Sequence, residues 1–92
     1  ETVMKVLTVC GLGMGTSLIL KMNVESILKD NNVKANIEHM DVSAANSTDA
    51  DLIVTSNELA GNLEGHKAKL VVIKNFFDKE EIIAALKEAA II

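Results

Sequence analysis

At 92 residues, 49% of them apolar, the chain can build one hydrophobic core without disulfides or a structural metal, and it has no room for a second module. A net charge of -4, with nine cations that are all lysine and scattered along the chain, excludes a nucleic-acid surface, which needs clustered positive charge on one face. One cysteine makes no internal bridge and suits a reducing compartment, and with no signal-peptide pattern and no bilayer-length apolar run the expectation is a cytoplasmic protein without direct membrane insertion.

Val3 to Val9 is apolar and β-branched enough for a buried strand. It breaks at Cys10 into a stretch in which three of the next five residues are glycines. A helix is expected from Thr16 to about Asn31, with Leu20, Val24, Ile27 and Leu28 on one face, and Asn31-Asn32 ends it. Val33 to Met40 alternates, with Val33, Ala35, Ile37 and His39 on one side, and reads as an edge strand. Asp41 to Ala50 is a polar connection or short helix, and Asp51 to Thr55 is a short buried strand. Asn57 to Leu63 allows only a turn or two of helix, and Leu70-Val71-Val72-Ile73 marks a fourth strand within Lys69 to Lys74. Asp78 opens the last helix, and Glu81 three residues on completes the pattern of a capping box. Ile82, Leu86, Ala89 and Ala90 form its inward stripe, while Lys79, Glu80, Lys87 and Glu88 read as a solvated face.

Four strands with intervening helices predict a single α/β domain over residues 1–92: a four-stranded parallel sheet with helices on both faces, Rossmann-like or phosphatase-like in its three layers. The expected strand order is 2-1-3-4. Ligands of such sheets bind beyond the carboxyl ends of the strands, where the order reverses, between the first and third strands. Cys10 falls there. Met40-Asp41, Ser56-Asn57 and Asn75-Phe76 fall on the same rim and read as solvated turn residues.

A thiol at the end of a strand, followed by glycines that permit close backbone approach and by Thr16-Ser17 opening a helix, is placed to act as a nucleophile beside an anion-binding loop. The helix N-terminus favours thiolate over thiol. Thr16 and Ser17 supply either a hydroxyl donor or only a helix cap. Familiar loop chemistries fit poorly. A dinucleotide fingerprint would need glycine at Thr16, and a Walker A loop would need a lysine, none of which occurs between Lys5 and Lys21. A low-molecular-weight cysteine phosphatase would place a clamping arginine where Thr16 stands, and the chain contains no arginine at all. Backbone N–H groups still hold a phosphate on sulfur, so the loop suits a phosphoryl carrier, with a phosphatase and an oxidisable thiol sensor as the other readings. His39 and His66 read as surface residues, no ligand cluster or cofactor loop is evident, and Leu12 and Met14 read as either a docking surface or packing.

The stretch Cys10-Gly11-Leu12-Gly13-Met14-Gly15-Thr16-Ser17, on a domain of this length, resembles the IIB component of the bacterial sugar phosphotransferase system over the whole chain. Lys21-Met22-Asn23-Val24, Thr55 to Gly61 and Val71 to Phe76 look most like the ascorbate-specific branch, with the galactitol and lactose branches similar but less close. The resemblance implies that Cys10 accepts a phosphoryl group from the phosphohistidine of a IIA protein. It implies further that Gly11, Leu12, Gly13, Met14, Gly15, Thr16 and Ser17 bind the phosphate, and that the group passes to a sugar carried by the membrane component IIC.

Overall fold

The computed structural model describes residues 3–9 and 14–92, with the side chains of 14–17 excepted. In chain order the elements are β1 (Met4–Val9), α1 (Met14–Asp30), β2 (Ala35–Met40), α2 (Val42–Asn46), β3 (Leu52–Thr55), α3 (Asn57–Ala60), a 3-10 turn (Gly61–Leu63), β4 (Lys69–Val72) and α4 (Lys79–Glu88). Among the described residues the strands form one all-parallel sheet in the order β2-β1-β3-β4, the α/β topology expected from the sequence.

The layering follows from the handedness of crossovers. The step from β1 to β2 runs one way along the sheet and the steps to β3 and β4 run the other, so right-handed connections put α1 on one face and α2 and α3 on the opposite one. Alternate strand residues then feed two cores. Val6, Leu52, Val54 and Val71 pack with Leu20, Val24, Ile27 and Leu28 of α1 and with Ile82 and Leu86 of α4. Leu7, Val9 and Ile53 pack on the other side with Ala45 and Leu63. The α1 stripe read from the sequence is therefore the buried one, and β2 is an edge strand as expected.

Helix ends show where side-chain chemistry and periodicity part company. Asp78 caps α4, its carboxylate accepting from Glu81 N at 3.2 Å, but Glu81 does not complete the capping box. Its carboxylate instead accepts from Lys74 N (2.7 Å) and Asn75 N (3.0 Å), because the turn after β4 offers two unpaired amides within reach. At the other end Ala90 is exposed and lies beyond the helix, so it leaves the inward stripe. Its φ is 62°, with Ala90 N bonded to Lys87 O (3.0 Å) and Ile91 N to Leu86 O (2.9 Å): a Schellman ending with alanine in the left-handed position. Asn32, φ 59°, plays the same part after α1. Asparagine adopts that conformation readily, whereas alanine adopts it only at a cost in strain. Ala90→Gly is therefore expected to raise stability by about 0.5–1 kcal/mol, the relieved strain being partly offset by the greater unfolded-state entropy of glycine. Thermal unfolding of the two proteins measures it, and an unchanged or lower midpoint refutes it.

Candidate functional site at the carboxyl edge of the sheet

All four strands point their carboxyl ends to one edge, where Val9, Met40, Thr55 and Val72 are the last strand residues. The order reverses between β1 and β3. Buried, β-branched Val9 ends β1 at this switch point. Four residues, Cys10 to Gly13, connect it to Met14, the first residue of α1. Cys10, Gly11, Leu12 and Gly13 lie outside the described residues, as do the side chains of Met14, Gly15, Thr16 and Ser17.

The backbone of α1 nevertheless carries information about the site. The helix begins at Met14, two residues earlier than the glycine-rich pattern suggests, so Gly15, Thr16 and Ser17 belong to its first turn. The N–H groups of Met14, Gly15 and Thr16 have no acceptor one turn earlier in the helix, and the first turn contains no acidic residue. Three donors and the positive end of a 17-residue helix thus follow, after a four-residue connection, the strand end that precedes Cys10.

The neighbouring rim residues are held in specific ways. Asp41 caps α2 through Ala44 N at 2.7 Å, while Ser56 precedes α3 without a side-chain cap bond. Asn75, exposed in the turn as read from the sequence, accepts at Oδ1 from Phe77 N at 3.0 Å, whereas Phe76, also read as a solvated turn residue, is built into the fold and only 7% exposed. Asn23 of α1 donates to Phe76 O at 2.8 Å, and Lys79 Nζ donates to Ser26 Oγ at 3.1 Å, so the turn after β4 is laced to the flank of α1. The adjacent Phe77 projects outward, 67% exposed.

Two residues that periodicity does not single out matter at this edge and its opposite. Thr55, the last residue of β3 and fully buried, donates its hydroxyl to Val9 O at 3.1 Å. The available signal was a hydroxyl at the end of an otherwise apolar strand. His66, read as a surface histidine, is half-buried at the far edge: Nδ1 accepts from Ala68 N (2.9 Å), which leaves Nε2 to donate to Thr48 O (2.7 Å). It clasps two loops, and no local pattern announces a bond between segments so far apart in sequence. A groove of about 910 Å³ between α1 and β2, lined by Val3, Met22, Glu25, Lys29 and Lys34 among others, runs beside the edge strand and contains none of the strand-end residues. Among the described residues no group of acidic, histidine or cysteine side chains is arranged to hold a metal ion, and no helix is long and apolar enough to cross a membrane.

The model of the family "PTS system, Lactose/Cellobiose specific IIB subunit" matches residues 5–88. The chain belongs to this IIB family. It is 34% identical over 86 residues to the ascorbate-specific PTS system EIIB component of Mycoplasma pneumoniae, with 90% of each chain covered. It is 34% identical over 70 residues to the protein of the same description in Escherichia coli O157:H7, covering 74% of this chain and 69% of the relative. Among solved structures, the lactose-specific IIB domain of Streptococcus pneumoniae superposes with a TM-score of 0.63 over 97% of this chain and 96% of that one, at 17% identity, which speaks for the fold alone. As a IIB component, the protein is a sugar-specific phosphoryl carrier of the phosphotransferase system.

Proposed function

We propose that Cys10 is the phosphoryl acceptor of this IIB domain, that the donor is a IIA phosphohistidine, and that the group passes to ascorbate entering through a IIC membrane component. The observation that carries this reading is the connection itself: β1 ends at the switch point with Val9, α1 begins at Met14, and the four residues between them start with the only cysteine of the chain. In the first step the Cys10 thiolate attacks phosphorus, an S–P bond forms, the N–P bond breaks, and the imidazole leaves with its electron pair. In the second a sugar hydroxyl attacks phosphorus, the S–P bond breaks, the thiolate leaves, and the hydroxyl proton passes to a base.

The first turn of α1 suits both steps, because its amides meet charge on the phosphoryl oxygens without releasing it as a fixed guanidinium-assisted hydrolase would. Gly11, Leu12, Gly13, Met14, Gly15, Thr16 and Ser17 are the proposed phosphate-binding residues. Ascorbate is proposed on the names of the relatives at 34% identity. On this reading the chain works as one IIB domain in the cytoplasm, at the membrane only through IIC.

Incubation with phosphoenolpyruvate, the general phosphotransferase proteins and an ascorbate-specific IIA protein tests the proposal by intact-protein mass spectrometry. One stable, donor-dependent phosphoryl group is expected. Turnover of an aryl phosphate with no accumulated phosphoprotein would replace the carrier with a phosphatase, and the absence of both would leave a redox-active thiol.

A further inference from the structure

Thr55 places a hydroxyl where a methyl group would serve packing equally well. Leu52, Ile53 and Val54 fill the rest of β3, all fully buried, and valine at 55 would match threonine in volume and branching. A hydroxyl withdrawn from water costs free energy unless it is bonded, and this one is bonded to a single acceptor, Val9 O, 3.1 Å away on the strand that pairs with β3 in register. What the hydroxyl adds at this position is that bond.

Val9 O belongs to the peptide unit whose nitrogen is that of Cys10. The unit is planar, so fixing the direction of its carbonyl also fixes the direction of its N–H and of the bond to the next Cα. We infer that Thr55 is a positioning residue, its hydroxyl setting the orientation of the Val9–Cys10 peptide and through it the direction in which the chain leaves β1 toward the thiol. The inference rests on the reading of Cys10 as the phosphoryl acceptor. Thr8, the other buried threonine among the described residues, supplies a control: its hydroxyl donates at 3.5 Å to Glu38 O on β2, not to Val9 O.

The test compares Thr55→Val, Thr55→Ala, Thr55→Ser and Thr8→Val in the full chain. Two rates are read at a temperature where circular dichroism shows each variant fully folded: iodoacetamide alkylation, which reports Cys10 alone because the chain has no other cysteine, and phosphoryl acceptance from phosphorylated IIA. Loss of the hydroxyl should slow both on the order of tenfold, since misplacing a reacting group is costly even when the fold survives. Thr55→Ser should restore them and Thr8→Val should leave them unchanged. A merely structural hydroxyl would lower the thermal midpoint without moving either rate, and that outcome, or a serine variant as slow as the valine one, overturns the inference. The two readings separate cleanly: phosphoryl acceptance that survives Cys10→Ser would remove the carrier role from Cys10, while the alkylation rates report Thr55 without any donor present.

Discussion

Cys10→Ser is expected to abolish phosphoryl acceptance while leaving the thermal midpoint within about 3 °C of the parent. Serine nearly matches cysteine in size, but its hydroxyl is hardly ionised at neutral pH, whereas a thiol yields the attacking anion far more readily and is the stronger nucleophile. The loss should exceed that from any single loop residue, because in the proposed mechanism the glycines and the α1 amides hold the phosphoryl group and only Cys10 bonds to it. Mass spectrometry after incubation with phosphorylated IIA should show the added group on the parent and none on the variant. An unchanged gain in mass on the serine protein would move the acceptor elsewhere, and His39 on the edge strand β2 would be the next residue to replace.

The largest expected loss of stability comes from Leu20→Ala, about 3 kcal/mol. Leu20 is fully buried against Val6, Leu52 and Val54 from the two central strands, so truncation removes its apolar contacts and leaves a cavity that a long helix and a parallel sheet close only in part. For a domain of this size the midpoint should fall by about 12–24 °C. Leu18→Ala supplies the contrast. Leu18 lies on the same helix but is 47% exposed, and its truncation should cost no more than about 0.5 kcal/mol. Urea or thermal unfolding of both variants measures the pair, and similar losses would mean that the α1 stripe is not what anchors the helix.

Features of the fold that depend on periodicity were legible in the sequence. The stripe Leu20, Val24, Ile27 and Leu28, the apolar strand centres and the strand order all follow from local pattern joined to the handedness rule, and each is observed. Boundaries were less so. Gly13 and Gly15 suggest loop, yet α1 starts at Met14, because the low helix propensity of one glycine is outweighed by the packing of the turns that follow. Glu81 has the spacing of a capping box, but side chains go to whichever unpaired amide the tertiary fold presents, here those of Lys74 and Asn75. Ala90 continues the inward stripe in a helical projection only, since the chain has already turned left-handed there. At the site, Cys10 and the glycines announce themselves by residue type, whereas Thr55 gains its meaning only when β3 is laid beside β1.

The His66 clasp has a bearing on the chemistry at the opposite edge of the sheet. A phosphoryl relay that begins on an imidazole meets a hazard whenever the receiving domain carries an imidazole of its own, since the group can be diverted to a second acceptor of matched reactivity. In His66 one ring nitrogen spends its lone pair on Ala68 N–H and the other carries the proton given to Thr48 O, so neither offers electrons to phosphorus while the loops stay closed. On the proposed reading of Cys10, the ring that ties down one end of the domain is thereby withheld from competition with the thiol, so that at His66 a bond that serves the fold also serves the fidelity of transfer.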